Sequence, residues 1–398
     1  MGHLFAILLS VFLGLFLADA VISLVDDSLI LFFDIHMVTR IRGILSLFAL
    51  LMAVVIYGLM ALTPMIPKRL FLPLTLFTPV AGLVAIPFLI YFYSRIQQVA
   101  WVISLGQLIL GLSVLWWVQG GFKVRWPLIE ENLLVSRRFS WLNLSAFLSV
   151  NVLVLLPAVI VYLVLCVSLA VGHFSDGFLS LRTSGFTVQV RKYVRSDGKT
   201  IQLFPMSHVG ELDFYRTLSQ SFPTNSIILM EGVTDNQQLL TNKITYKRMA
   251  ASLGVAEQQK EFKPQGDLVR ADVDVEQFAT NTIDFLNLVM LLHSKGVNVE
   301  NLLKLAQYSP PPNFEEQLFD DLLRKRNRRL LEEIQSRLSQ SENIIVPWGA
   351  AHMPQIAKEI QRSGFRLEET REYVAIRFGS AGNKSNSLGK RGDSGKPK

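Results

Sequence analysis

Three residues with catalytic side chains follow predicted β-strands in the second half of the sequence. His208, Glu231 and His352 each come shortly after a run of residues that is typical of a buried strand. In an open α/β sheet, ligands bind beyond the carboxyl ends of the strands, so we expect the three side chains to converge there. Two imidazoles and a carboxylate would leave positions on a divalent ion such as Zn, Mn or Co open for an activated water.

The spacing of these residues is compatible with two other arrangements. One is a metal-free acid–base site of His and Glu. The other is a set of structural hydrogen bonds with no catalytic role. Glu211, three residues after His208, is a secondary candidate. The sequence contains no HExxH, G-x-S-x-G, P-loop or GxGxxG motif, which removes the usual support for serine hydrolases, NTPases and dinucleotide-binding enzymes.

His352 stands at the start of a predicted helix, three residues after Gly349. A helix N-terminus disfavours the imidazolium ion and so keeps a nitrogen lone pair available. Gly349 lacks a side chain, so the backbone can approach a ligand closely there.

Residues 175–378 alternate short β-rich runs with amphipathic helices, which predicts an α/β domain with a central, largely parallel sheet. The predicted strands are 186–194, 200–206, 226–230, 343–348 and 366–378, and the predicted helices are 211–220, 275–292, 314–340 and one that ends near 363. On the longest helix, Arg326 and Asn327 are spaced so that both lie on the apolar face. Both must therefore find polar partners inside the protein.

Residues 1–174 differ in composition from the rest of the chain. The chain is 50% hydrophobic and 18% charged, with a mean hydropathy of +0.35, and its charges are concentrated in the second half. Because a membrane span needs about 20 apolar residues, we predict an α-helical transmembrane bundle of five segments. These are 4–25, 43–64, 70–93, 99–118 and 146–171. Asp19 would lie either near the interface or in a polar contact within the bundle, and we expect no series of charges inside the bundle.

The positive charges between the predicted spans suggest an orientation. Six of them (Lys68, Arg69, Lys123, Arg125, Arg137 and Arg138) would lie on one side, against Arg40, Arg42 and Arg95 on the other. The positive-inside rule places the first group in the cytoplasm and the α/β domain outside it, in a bacterial cytoplasmic membrane. The last segment, 379–398, is rich in Gly, Ser and Lys and should be a disordered basic tail.

Charge and cysteine content exclude other classes. Residues 175–378 contain 25 basic and 25 acidic side chains, so the domain offers no overall positive charge for nucleic acid. Cys166 is the only cysteine, which excludes an intramolecular disulfide and a cysteine-ligated metal site.

Several short motifs resemble the TraB/PrgY/GumN group, which is related to the TIKI metalloproteases and more distantly to the erythromycin-esterase-like and ChaN-like folds. The motifs are Ser207–Gly210 with Asp213–Tyr215, Leu229–Val233, Arg270–Asp274, Arg326–Asn327 and Trp348–Met353. The resemblance covers residues 185–378. It implies a TraB/TIKI-like domain and a metal-dependent peptidase activity.

By this resemblance, Gly349 to His352 is the second of two G-x-x-H motifs and His208 is the histidine of the first. It also implies roles for Glu231, Arg326 and Asn327, with Asp272 as a secondary candidate. The first motif departs from the family pattern, because Pro205 stands where the family has glycine. Proline removes an N–H, so this loop cannot offer the same backbone donor.

These observations lead to one expected function and its rivals. We expect a membrane-anchored, metal-dependent hydrolase acting on peptides, with the metal or its water held by His208, His352 and Glu231. Arg326 would stabilise the oxyanion and Asn327 would orient other groups. The main alternative is a non-catalytic protein that binds or sequesters a peptide or signal, which the Pro205 departure favours. A transport or assembly component with a regulatory soluble domain is a third possibility.

Overall fold

The computed structural model describes residues 2–121, 124–134, 139–241, 246–295 and 310–379, with residues 298, 300, 301, 303 and 308. The chain divides into two compact units, Met1–Leu169 and Ala170–Lys398. The predicted tail 379–398 lies outside the described residues except for Gly379.

Five helices in the first part of the chain are long and apolar enough to cross a membrane. They are α1 (Gly2–Phe33), α2 (Thr39–Leu62), α3 (Lys68–Tyr91), α4 (Ile96–Gln119), and a fifth formed by α5 (Trp141–Val150), a π-helical turn (Asn151–Leu155) and α6 (Leu156–Phe174). The predicted segments 4–25, 99–118 and 146–171 fall within these helices, whereas 43–64 and 70–93 each extend two residues beyond the end of their helix.

A polar seam runs through the contacts of α1 with α2 and α4. The Asp19 carboxylate is buried and accepts hydrogen bonds from Ser46 Oγ at 2.5 Å and Gln107 Nε2 at 2.8 Å. Asp19 therefore makes polar contacts within the bundle.

Asp26 and Asp27 add charge to the same seam. Both are buried, and Arg42 Nη1 lies 2.5 Å from Asp27 Oδ1 and 3.3 Å from Asp26 Oδ2. Ser104 Oγ donates to Asp27 Oδ2 at 2.6 Å. Asp19, Asp26, Asp27 and Arg42 therefore form a series of charges within the bundle, contrary to the expectation that it holds none. The predicted spans ended at residue 25 and resumed at 43, which left Asp26, Asp27 and Arg42 in a connection.

The second unit contains a mixed sheet of seven strands, in the order β1-β2-β3-β8-β5-β7 with β9 paired to β2. The strands of this sheet are β1 (Leu179–Arg182), β2 (Gly185–Val194), β3 (Thr200–Met206), β5 (Ile227–Met230), β7 (Asp267–Arg270), β8 (Asn343–Gly349) and β9 (Arg366–Arg377). The pairs β3–β8, β8–β5 and β5–β7 are parallel. The central, largely parallel sheet is thus confirmed. A separate short pair is formed by β4 (Val209–Gly210) and β6 (Ala256–Glu257).

Helices accompany the strands in this unit. They are α7 (Leu212–Ser221), α8 (Lys247–Leu253), α9 (Gln258–Glu261), α10 (Thr280–Lys295), α11 (Phe314–Phe319), α12 (Arg326–Arg337) and α13 (Met353–Arg362). A π-helical turn, Asp320–Lys325, joins α11 to α12, so the predicted helix 314–340 is interrupted by a wider turn.

The sheet is buried on both faces. On one face, Leu229 and Trp348 pack with Leu330 of α12 and Ile356 of α13. On the other face, Ile228 belongs to a cluster with residues of α7. This two-sided burial explains why β5 and β8 are continuous apolar runs rather than alternating ones.

Candidate functional site

The carboxyl ends of β5, β7 and β8 are adjacent because these strands are parallel neighbours. Glu231 directly follows β5, Asp272 follows β7, and His352 follows β8 and immediately precedes α13. Helix α12 brings Arg326 and Asn327 against these ends. We call Glu231, Asp272, Arg326, Asn327 and His352 the polar cluster.

Arg326 is the centre of the polar cluster. Its Nε donates to Asp272 Oδ1 at 3.0 Å, and its Nη2 donates to Asp272 Oδ2 at 2.7 Å and to Glu231 Oε1 at 2.8 Å. Burial alone lowers the pKa of the guanidinium, but the bonds to both carboxylates raise it above its usual value. Arg326 is therefore a permanent cation shared between two anions.

The two carboxylates are also held by backbone N–H groups. Gly349 N–H donates to Glu231 Oε2 at 2.6 Å. Gly232 and Val273 N–H groups donate to the two oxygens of Asp272 at 3.0 and 2.9 Å. The Asp272 side chain is 1% exposed, whereas that of Glu231 is 18% exposed. Asp272 is thus a buried support, and Glu231 is the carboxylate that a ligand can reach.

Asn327 fixes the tautomer of His352. Asn327 Nδ2 donates to Gln355 Oε1 at 2.6 Å, which leaves its Oδ1 as the acceptor 2.6 Å from His352 Nδ1. In this hydrogen-bond network His352 Nδ1 carries the proton. Its Nε2 therefore presents a lone pair, 3.7 Å from Glu231 Oε1.

The indole ring of Trp348 packs against two residues of the polar cluster. It contacts the His352 ring edge-on, with the ring centroids 5.1 Å apart, and the Arg326 guanidinium carbon lies 5.4 Å from the centre of the indole. The indole N–H is satisfied by the Leu229 carbonyl at 2.9 Å. Because Trp348 is fully buried, it excludes water from this side of His352 and Arg326.

The pKa of His352 is lowered from 6.5 to about 4, mainly by burial and in addition by the nearby charge of Arg326. The negative charges of Glu231 and Asp272 act in the opposite sense but are outweighed. His352 is consequently a neutral imidazole at neutral pH.

This pKa predicts a pH-dependent stability. The pKa of His352 is 6.5 in the unfolded chain and about 4 in the folded protein. The neutral, buried His352 therefore makes its full contribution to the free energy of unfolding above about pH 6.5. This contribution should be lost progressively as the pH falls from about 6.5 to about 4, by about 3 kcal/mol in total. Thermal unfolding of the full-length protein in detergent, followed by tryptophan fluorescence, measures this. His352→Gln should show a shallower decline, and equal slopes for the two proteins would contradict the assignment.

His208 is not part of the polar cluster as described. It is exposed, and its ring stacks on Tyr246 with centroids 4.5 Å apart and planes 15° apart. In the ranges that the structure describes, no three His, Cys, Asp or Glu side chains are grouped closely enough to hold one metal ion. His352 and Glu231 alone form a two-donor pair, and the nearer Glu231 oxygen already accepts from Arg326.

The described donors therefore do not fit a three-ligand metal centre. The predicted set of His208, His352 and Glu231 around Zn, Mn or Co stays a prediction.

Glu211, the secondary candidate, lies at the start of α7 beside β9. Its N–H donates to the Ala375 carbonyl at 2.7 Å, and its Oε1 accepts from Arg377 N–H at 3.4 Å. These contacts tie Glu211 to the β9 backbone.

Gln355 and Trp348 also belong to the site. Gln355 orients Asn327, and Trp348 covers His352 and Arg326. Gln355 was not predicted, although its position three residues after His352, the residue that precedes α13, places both on one side of the helix. Trp348 was predicted only as part of the motif Trp348–Met353.

A cleft of about 590 Å³ opens beside the cluster. It is lined by Met230–Asn236 and by Leu268–Arg270, so Glu231 belongs both to its wall and to the polar cluster. The cleft can place a bound molecule against the Glu231 carboxylate, whose Oε1 lies 2.8 Å from Arg326 Nη2 and 3.7 Å from His352 Nε2.

Comparison of the chain with family models, with curated proteins and with solved structures finds no match in any of the three.

Proposed function

We propose that this protein is a membrane-anchored hydrolase that acts on peptides at the polar cluster. The observation that carries the proposal is the orientation of His352. Its Nδ1 is engaged by Asn327, which leaves the Nε2 lone pair 3.7 Å from the Glu231 carboxylate beside an open cleft. The peptide class comes from the resemblance to the TraB/PrgY/GumN group.

His352 would act as the proton carrier of the reaction. Its neutral Nε2 accepts a proton from a water as that water attacks the carbonyl carbon, and later returns the proton to the leaving nitrogen. The transient imidazolium is stabilised by the Asn327 carbonyl oxygen at Nδ1 and by the charge of Glu231. Glu231 would also hold the attacking water through its accessible oxygen.

Arg326 would stabilise the charge that develops on the carbonyl oxygen. Its Nε and Nη2 are committed to Asp272 and Glu231, whereas the described acceptor of Nη1 is the Leu322 carbonyl at 3.5 Å. That contact is long for a hydrogen bond, so Nη1 keeps donor capacity for an oxyanion.

The dependence on a divalent ion is a separate proposal from the resemblance. Elemental analysis of the purified full-length protein, with His208→Ala and His352→Ala beside it, tests it directly. Near-stoichiometric metal that both variants lose would support the predicted metal site. A metal-free wild type after exposure to Zn, Mn and Co would remove it.

A turnover experiment tests the hydrolase. Purified full-length protein in detergent is incubated with a pool of synthetic peptides in excess, and new chain ends are counted by mass spectrometry. We expect several cleavages per protein molecule and a loss of at least about 100-fold for Glu231→Gln, which keeps the size but not the charge of the side chain. Products at equal rates in both proteins would place the activity elsewhere.

The alternative is a protein that binds a peptide or signal without cleaving it. The low pKa of His352 favours this alternative, because a base with a pKa of about 4 is far from the optimum near neutral pH. It predicts saturable binding of peptides and no new chain ends in the same experiment. Multiple turnover would exclude it.

We further propose that the bundle anchors the α/β domain outside the cytoplasm of a bacterial cell, with the lipid bilayer as its partner. The five apolar helices and the unequal distribution of positive charge support this orientation. A reporter fused to the C-terminus should be labelled from outside the cell, and labelling only after permeabilisation would contradict the orientation.

A further inference from the structure

Strand β7 is an edge of the sheet, and its outer side is open in the part of the chain that the structure describes. Among the described strands it pairs only with β5. Asp267 N–H donates to the Ser226 carbonyl at 3.1 Å and Ala271 N–H to the Met230 carbonyl at 3.2 Å. Because backbone groups alternate in direction along a parallel strand, Leu268 and Arg270 point their N–H and C=O groups away from the sheet.

The side chains of the same two residues face the cleft. Leu268 and Arg270 are exposed, Leu268 by 55%, and both line the 590 Å³ cleft together with Met230 and Val233. The edge therefore combines backbone donors and acceptors that have no partner among the described residues with an adjacent, partly apolar space for side chains.

The other long edge of the sheet is different. The outer strand β9 carries Arg366, Glu368, Glu369, Arg371 and Glu372, which are exposed or partly exposed along its length. Charged side chains of this kind discourage the addition of another strand. Strand β9 nevertheless exposes Leu367 by 51%, and β7 begins and ends with the charged Asp267 and Arg270, so the feature that distinguishes β7 is the 590 Å³ cleft beside its edge.

The end of this edge lies at the polar cluster. In the register of the two strands Arg270 is opposite Met230, which directly precedes Glu231. Two residues beyond Arg270, Asp272 binds Arg326. A chain that follows the edge towards the carboxyl end of β7 therefore ends at the same end of the sheet as Glu231, with β7 between the added chain and β5.

We propose that β7 binds a peptide in an extended conformation as an additional strand of the sheet. The peptide backbone pairs with the N–H and C=O groups of Leu268 and Arg270, and alternate side chains enter the cleft, where an apolar side chain packs against Leu268. That this peptide is the substrate rests on the proposed function; the binding itself does not.

A matched pair of variants isolates the backbone contribution. Leu268→Pro and Leu268→Ala both remove the leucine side chain, but only proline removes the outward N–H. Since this N–H is not part of the pairing with β5, proline is tolerated at such an edge position. Equal thermal stability of the two full-length variants in detergent serves as the control for folding.

The probe is an array of synthetic nonapeptides, from which those that bind the wild-type protein are selected and their Kd values measured in solution. We expect Leu268→Pro to weaken binding about tenfold more than Leu268→Ala, since it removes a hydrogen bond that the peptide makes. In the wild-type complex, the selected peptides should also slow amide exchange at residues 268–270.

Three results would overturn the proposal. They are equal Kd values for Leu268→Pro and Leu268→Ala with both variants folded, the absence of any binding peptide, and exchange protection confined to other segments. The failure of the proposed function has a different signature: peptides that bind along β7 but are not cleaved would leave the binding site standing and remove the hydrolase. If Leu268→Pro proves less stable, Arg270→Pro against Arg270→Ala repeats the comparison at the second outward position.

Discussion

Replacement of Arg326 by methionine is expected to destabilise the α/β unit by about 3 to 5 kcal/mol, because it removes one partner of a buried ion cluster. Arg326 is 12% exposed and holds the Asp272 carboxylate, which is 1% exposed, through two hydrogen bonds. Methionine retains much of the packing against Trp348 but leaves two carboxylates without their cation. Asp272 cannot move to water, so the penalty of its uncompensated charge falls on the folded state.

Thermal and chemical unfolding of the full-length protein, followed by tryptophan fluorescence, measures this loss. Arg329→Met is the matched control on the same helix. Arg329 also forms an ion pair, 2.5 Å from Glu333, but is 43% exposed, so its loss should cost at most about 1 kcal/mol. A second replacement, Asp272→Asn, should recover part of the stability lost in Arg326→Met. A similar stability of the Arg326 and Arg329 variants would show that the buried cluster does not stabilise the fold.

Replacement of His352 by alanine is expected to lower kcat/KM by about 1000-fold or more under the proposed function, because Nε2 is the atom that carries the proton. The fold should persist. The main structural cost is an unpaired Asn327 oxygen, which amounts to about 1 to 3 kcal/mol. Peptide binding along β7 should be retained, so the loss should appear in kcat rather than in KM.

The peptide turnover assay and the thermal unfolding of the same preparation provide the two readouts. His293→Ala is the control, because His293 lies near the end of α10 and its described ring contact is with Tyr246 at 6.2 Å. Wild-type turnover by a folded His352→Ala variant would refute the assignment of His352 as the proton carrier. If His352→Ala does not fold, His352→Gln takes its place in both measurements, because glutamine offers a polar group to Asn327 but has no imidazole.

The sequence alone determined the coarse architecture of both units, which is a set of long apolar helices followed by an α/β domain with a largely parallel sheet. Apolar runs of about 20 residues are long enough to locate all five long helices, because span length is a local property of the chain. The buried strands β3, β5 and β8 were recognised for the same reason. The helical spacing also predicted that Asn327 is buried, and it is 1% exposed.

Only the tertiary structure decided which polar groups meet. Arg326 and Asp272 are 54 residues apart, and His352 and Asn327 are 25 apart. Periodicity identifies which face a side chain occupies, but the pairing depends on how α12 is positioned against the strand ends. For the same reason, spacing could not show that His208 stacks on Tyr246, or that Arg42 joins Asp26 and Asp27 inside the bundle.

The open edge was also a tertiary result. Strand β7 has four residues, begins and ends with a charge, and shows none of the apolar continuity of β5 and β8, so the sequence did not predict it. Its extended conformation is stabilised by parallel hydrogen bonds to β5, and those bonds exist only once the sheet has formed. Local propensity therefore determined the helices and the buried strands. Long-range packing decided the polar cluster and the edge beside it, because both depend on contacts between residues that are distant in the sequence.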